Sequence, residues 1–189
     1  MKKVELRKKY KSKRKELTFD ELAELSEKIL KQIKLFAISD KTISLFLPIE
    51  HQREINTFPI LDYLIHSGAK VGLPVSDFES NSLVHRLFDK EKTEIKLNAY
   101  QIPEPINGGI IHPKDFDIVF VPLLAIDING NRVGYGKGFY DRFLSECSHD
   151  CQFIGLHLFD IEENIEDVSS NDITLHVVIT PSELVRFER

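Results

Sequence analysis

The sequence predicts an α/β fold: a Rossmann-like, three-layer arrangement with a mostly parallel or mixed sheet and helices on both faces. Three observations carry this. Short apolar runs at 41–47, 70–75, 83–88, 117–121, 153–158 and 175–180 alternate with helical patterns, as stacked strand–helix units require. The run DIVFV at 117–121 is apolar after its first residue, as in a central parallel strand covered on both faces. The chain has 189 residues, 42% hydrophobic and 29% charged, which suits one globular domain spanning 1–189.

The elements follow in order. Residues 1–15 carry nine Lys and Arg residues against Glu5 alone, with Val4, Leu6 and Tyr10 as a weak apolar face. A helix with a solvated basic surface fits this pattern. Thr18 and Glu21 form a capping box for a second helix, whose inner face is Leu22, Leu25, Ile29 and Ile33 and which ends near Ser39–Asp40. Lys41–Leu47 reads as a buried strand and Pro48–Arg53 as the loop after it. Asn56–Thr57 cap a third helix with Pro59 in its first turn and Gly68 past its end. Lys70–Val75 is a strand that Pro74 should cut short or bulge. Leu83–Phe88 alternates weakly as a third strand, and Asp89–Leu97 is a charged peripheral loop. Tyr100–Pro105 is extended, because each residue before a proline avoids the helical region. Pro122 ends the strand Asp117–Val121. A loop containing Asn129–Gly130 then leads to Arg132. Helix Phe139–Cys147, strands Phe153–Leu158 and Leu175–Thr180, and an acidic connection at 160–172 complete the chain.

The stretch between that loop and the fourth helix bears the chemistry. In NRVGYGKGFYD, residues 131–141, Gly134, Gly136 and Gly138 alternate with other residues. Glycine lets the backbone take positive φ and lets a ligand approach the main chain. Free N–H groups in such a loop, backed by a helix N-terminus, form an anion-binding concavity. Lys137 and Arg132 add full charges, so the pattern indicates a polyphosphate site. The alternative is a glycine turn that merely joins two elements. The spacing matches neither Walker A nor G-x-G-x-x-G. Polyphosphate chemistry asks for a hard divalent cation, which carboxylates hold. Asp141, in the first turn of the helix, and Asp172, before a strand, are available. Their other readings are a helix-dipole partner and an Asx turn. In a parallel sheet, ligands sit beyond the carboxyl ends of strands. The loop after Leu47 therefore joins the glycine loop at one rim, and Glu54 becomes a pocket residue.

The net charge of −5 argues against a general nucleic-acid binder. The N-terminus lacks a secretory apolar region, and no run approaches the ~20 apolar residues that span a bilayer. Cys147 and Cys151 lack a second ligand pair that would complete a zinc site. Two free thiols in a reducing cytoplasm is the simpler reading.

These residues resemble the signature of the 5-formyltetrahydrofolate cyclo-ligase family. The resemblance extends to Lys3-x-x-Leu6-Arg7, to Ser44–Leu47 followed by Glu54–Thr57, to Tyr100-x-Ile102-Pro103-Glu104-Pro105, and to the terminal strand ending Thr180–Pro181. It implies an ATP-dependent enzyme that closes 5-formyltetrahydrofolate to 5,10-methenyltetrahydrofolate through a phosphorylated imidate, with ADP and phosphate as by-products. By motif match, Lys3, Arg7 and the loop Arg132, Val133, Gly134, Tyr135, Gly136, Lys137, Gly138, Phe139 and Tyr140 contact ATP. Lys137 and Arg132 stabilise charge at the transferring phosphate, and Asp141 with Asp172 holds Mg²⁺. Glu54 accepts hydrogen bonds from the pterin. Leu47, Tyr100 and the glycine loop from Gly134 to Gly138 line the folate. The expected partners are small molecules, with no nucleic acid or membrane, and the expected form is a cytoplasmic monomer. A binding protein without turnover, or an ATP-dependent enzyme for another N-acyl substrate, are the competing readings.

Overall fold

A computed structural model describes residues 1–188. Helix α1 spans Lys3–Glu16 and α2 spans Phe19–Ile33. The capping box forms as the sequence predicts. Glu21 N–H donates to Thr18 Oγ1 at 3.2 Å, and Thr18 N–H donates to Glu21 Oε2 at 2.7 Å. Helix α2 ends six residues before Ser39, its last carbonyls satisfied by Lys34, Leu35 and Phe36 N–H groups in a tightened final turn.

Strand β1 (Thr42–Ser44) leads through a short 3-10 turn at Glu50–Gln52 to α3 (Phe58–His66). Thr57 does not cap α3 with its side chain. Its hydroxyl donates instead to Phe46 O at 2.7 Å, and Asn56 Oδ1 accepts from Phe58 N–H at 3.2 Å.

Strand β2 (Lys70–Asp77) runs straight through Pro74, contrary to the sequence expectation. Gly72 O accepts from Leu45 N–H, so Gly72 faces β1. Two residues on, Pro74 faces the same side, past the last paired residue of β1. There its missing N–H deprives no partner. Strand β3 (Ser82–Leu87) pairs antiparallel with β2 along its length. The charged segment expected as loop ends in β4 (Ile95–Leu97), which pairs with β5 (Pro103–Pro105).

A two-residue β6 (Ile110–Ile111) precedes the central β7 (Ile118–Pro122). Where the sequence predicts a loop, the following segment contains a hairpin, β8 (Ala125–Ile126) with β9 (Arg132–Val133). Its turn closes on Asp127, a buried carboxylate that accepts from Asn129, Asn131 and Ile165 N–H groups. Helix α4 (Phe139–Glu146), β10 (Gln152–Leu156), β11 (Val177–Ile179) and β12 (Leu184–Arg186) complete the chain.

The main sheet has the order β12-β11-β10-β7-β1-β2-β3-β6. From β11 to β2 the strands are parallel, and the antiparallel β12 and β3 flank them, with β6 outside β3. The sheet is thus mixed and mostly parallel. Alternate residues of β7 serve opposite faces. Ile118 and Phe120 join Leu22, Ile29 and Ile33 of α2 and Ile60, Leu61 and Leu64 of α3. Val119 and Val121 join Phe143 and Leu144 of α4. Complete burial of one such Leu or Ile is worth ~1.5–3 kcal/mol, which is why the two layers hold. Helix α1 packs Leu6 and Tyr10 on the β8–β9 hairpin, against Leu124, Ala125 and Val133. Among the described residues, no helix is long and apolar enough to cross a membrane.

Candidate active site

Strand β1 hands the chain to β2 on one side, whereas β7, on its other side, hands it to β10. The order reverses between β1 and β7, and the loops beyond their carboxyl ends diverge to leave a crevice. The crevice is a cavity of about 360 Å³. That volume lies within the ~300–1,000 Å³ range of small-molecule sites. It is lined by the loop after β1, the β2–β3 hairpin, the segment before β5, the glycine loop, and the N-terminal half of α1.

The glycine loop is held open by its backbone. Gly136 and Gly138 have φ of +97° and +72°. A Cβ on Gly136 would stand 3.2 Å from Arg7 Cζ, so the guanidinium lies directly on the main chain there. Arg7 Nε donates to Gly134 O at 2.9 Å. Arg142, one turn into α4, clasps the loop from the other side. It donates to Lys137 O at 2.6 Å and to Asn81 O at 2.8 Å, which ties the loop to the β2–β3 turn. Lys137 is exposed, with its ammonium 4.7 Å from the Phe78 ring centre and 5.1 Å from that of Tyr100. Those two rings stack at 4.0 Å, and Phe139 meets Phe78 edge-on at 5.3 Å.

Each carboxylate near the loop is paired with a cation. Lys3 bonds Asp172, which also accepts from Ser169 N–H at 2.6 Å. Burial pushes the Asp172 carboxyl up, but Lys3 and the Ser169 N–H outweigh it and hold the group below the usual carboxylate range. Arg132 donates to Asp141 Oδ1 at 2.6 Å and to Ile173 O, and the same Asp141 oxygen accepts from Ile173 N–H at 3.1 Å. Burial pulls the Arg132 guanidinium down, and Asp141 opposes it.

Deeper in the crevice lies Glu54, which is 4% exposed. Arg53 takes φ of +50° at the end of the 3-10 turn and swings Glu54 inward. Oε2 accepts from Ile49 N–H at 2.8 Å. Oε1 accepts from the Tyr135 hydroxyl and lies 3.7 Å from Arg14 Nη1, which itself donates to the Tyr135 oxygen at 2.9 Å. Tyr140 also lines the cavity. Its hydroxyl is buried with no hydrogen-bond partner among the described residues. Burial, then the Glu54 charge, push this phenol above its ordinary range, with Arg132 pulling the other way.

Lys3, Arg7, Leu47, Glu54, Tyr100, Arg132, Asp141, Asp172 and the loop from Gly134 to Tyr140 all line this one cavity. Val133 does not. It is fully buried in β9 against α1, because the strand alternates and Arg132 takes the cavity side. Arg132 serves Asp141 and a backbone carbonyl instead of standing free for a ligand. The sequence reading overlooked Phe78 and Arg14. Phe78 sits in a short turn with no pattern around it. Arg14 was legible: Lys3, Arg7, Tyr10 and Arg14 recur at helical spacing, so one stripe of the basic helix faces inward.

Residues 1–181 match the model of the 5-formyltetrahydrofolate cyclo-ligase family. The 5-formyltetrahydrofolate cyclo-ligase of Escherichia coli (strain K12) is 32% identical over 148 residues, covering 76% of this chain and 79% of that protein. That of Mycoplasma genitalium is 33% identical over 148 residues, 76% and 77% of the two chains. Among solved structures, the NMR structure of Aquifex aeolicus 5,10-methenyltetrahydrofolate synthetase aligns with a TM-score of 0.83 at 29% identity, covering 100% of this chain and 94% of that one.

Proposed function

The chain belongs to the 5-formyltetrahydrofolate cyclo-ligase family, and on that premise we propose that its crevice converts 5-formyltetrahydrofolate to 5,10-methenyltetrahydrofolate at the expense of ATP. The formyl oxygen attacks the γ-phosphorus and ADP departs, leaving a phosphorylated imidate on N5. N10 attacks the activated carbon and loses its proton. The ring closes and phosphate leaves. Such chemistry needs positioning and charge stabilisation, with no protein nucleophile.

The observation that carries this reading is the bond from Tyr135 to Glu54. It joins the glycine loop to Glu54, the one buried carboxylate lining the crevice among the described residues, so the two ligands would meet at one wall. Lys3, Arg7 and the loop from Arg132 to Tyr140 are our choices for ATP. The orphaned Tyr140 hydroxyl suits a ligand oxygen. Glu54 is our choice for the pterin, whose amino and ring N–H groups match a carboxylate acceptor. Leu47, Phe78 and Tyr100 offer apolar surface to the folate rings. Lys137 is mobile enough on its flexible stem to leave the aromatic pair for the transferring phosphate, while Arg132 acts on the same charge through Asp141.

Asp141 and Asp172 are our choices for a magnesium ion, although among the described residues no cluster of three or more His, Cys, Asp or Glu side chains is placed to hold a metal. Asp141 Oδ2 and Asp172 Oδ1 accept no hydrogen bond among the described residues, so each carboxylate keeps one hard oxygen for a cation. Bound there, Mg²⁺ would neutralise triphosphate charge. The free thiols of Cys147 and Cys151 suit a reducing cytoplasm, and we read the enzyme as a monomer.

The test is direct. Protein mixed with Mg-ATP and 5-formyltetrahydrofolate should develop the near-ultraviolet absorbance of the methenyl product. No change in absorbance while ATP still binds would refute the reading.

A further inference from the structure

Arg14 has no place in the chemistry described so far, yet it is 3% exposed and reaches three elements at once. It donates to Leu123 O at 2.7 Å, just past β7, and to the Tyr135 oxygen at 2.9 Å, and it stands 3.7 Å from Glu54 Oε1. Its Nε has no hydrogen-bond partner among the described residues. A buried ion pair with an unsatisfied N–H is weak evidence for a stabilising role, since well-packed apolar residues often hold a core as well or better. Its geometry argues for another role.

A guanidinium only donates hydrogen bonds. With Arg14 donating to the Tyr135 oxygen, the single Tyr135 hydrogen is left for its other neighbour, Glu54. The polarity Arg14 to Tyr135 to Glu54 is thereby fixed. Burial, then the Glu54 charge, hold the Tyr135 phenol above its ordinary range, so it keeps that hydrogen. Glu54 is consequently gripped on Oε1 by Tyr135 and on Oε2 by Ile49 N–H, which leaves its remaining lone pairs in one orientation toward the cavity. The charged groups around this set are few. Lys11 lies 5.4 Å over the Tyr135 ring, Arg7 and His51 line the cavity, and His157 feels the Arg14 charge from the buried side.

We propose that Arg14 is a positioning residue for the folate half of the site: by fixing the Tyr135 hydroxyl on Glu54 it aims the carboxylate that reads the pterin. This rests on the reading of Glu54 given above. Arg14 touches neither substrate. Its effect falls on folate, because the Tyr135 hydroxyl that it orients ends on Glu54, whereas the loop faces ATP with its main chain and Lys3 and Arg7 bond Asp172 and Gly134 O.

The experiment measures KM for 5-formyltetrahydrofolate and for ATP, kcat and thermal midpoint in Arg14→Met, Arg14→Lys, Tyr135→Phe, Arg14→Met with Tyr135→Phe, and Glu54→Gln. Arg14→Met should raise the folate KM at least tenfold and the ATP KM less than twofold. Arg14→Lys, which keeps a cationic donor, should recover part of the loss. In the double variant the Arg14 change should add little to the Tyr135→Phe loss, as expected of residues acting in series. Should Arg14→Met fail to fold, Tyr135→Phe alone must still raise the folate KM selectively. Equal rises in both KM values, or fully additive losses, overturn the proposal. A folate KM that is normal in the Arg14 and Tyr135 variants but raised in Glu54→Gln overturns it and leaves the Glu54 reading standing. A normal folate KM in Glu54→Gln overturns both.

Discussion

Gly136 shows how tightly the anion loop is drawn. Its φ of +97° strains any L side chain, and a Cβ there would stand 3.2 Å from the Arg7 guanidinium, which would have to move aside. Gly136→Ala should therefore cost ~1–2 kcal/mol in backbone strain and push Arg7 off the loop. We expect several-fold weaker ATP binding with folate binding little changed, measurable by calorimetric titration of each ligand. Lys137 sits at the opposite extreme, exposed and resting only on aromatic faces. Lys137→Ala should lower kcat far more than it weakens folate binding. Equal losses in turnover and binding would mean that Lys137 only shapes the cavity. The residues of this loop were legible because glycine spacing and charge are local signals. Phe78 carries no local signal, because its value lies in the contact with Tyr100, 22 positions away, whereas the helical spacing of Arg14 marks its inward face but not its partner Tyr135, 121 positions on.

At the scale of elements, the second helix was the easiest to read and is the easiest to test. Its capping box and inner stripe formed as the sequence pattern required. Thr18→Ala should cost ~1 kcal/mol, and for a chain of this size that lowers the thermal midpoint by ~2–4 °C. Activity per folded molecule should not change, since Thr18 is absent from the cavity lining. Strand β2 was misread for an instructive reason. A proline rule assumes a neighbour on both sides, and β1 stops before Pro74 needs one. The pairs β4–β5 and β8–β9 were missed because strands of two or three residues lack enough period to register, and their pairing is made by contacts outside the segment. The rim shared by the glycine loop and the loop bearing Glu54 was foreseen. It follows from strand direction alone, because ligands sit beyond the carboxyl ends of parallel strands.

Across the whole molecule, two buried histidines set the response to acid. His85, on β3, lies beneath α4, bonded to Ser44 Oγ of β1 at 2.8 Å and stacked on Phe143 at 4.2 Å. His157 lies beyond β10 against Tyr10. Burial lowers both to about 3, with Arg14 and Lys13 adding to the effect at His157. An unfolded histidine takes up its proton near pH ~6.5. Between there and about 3 the unfolded state binds more protons, so stability falls as pH falls, by up to ~1.4 kcal/mol per pH unit for each ring. Urea midpoints followed from pH 7 to pH 4 should drop steadily, and His85→Asn should flatten the slope. An unchanged slope in that variant would mean that His85 titrates normally in the folded protein. The docking of α1 bears on another process, the order in which the chain is made. Tyr10 and Lys9 bond Glu162, Lys3 bonds Asp172, and Met1 pairs with Glu166. These bonds of α1 thus wait for partners synthesised more than 150 positions later. On the ribosome α1 can settle on the β8–β9 hairpin, with Arg7 on Gly134 O, before the last strands emerge, and the crevice gains its Lys3–Asp172 edge only afterwards.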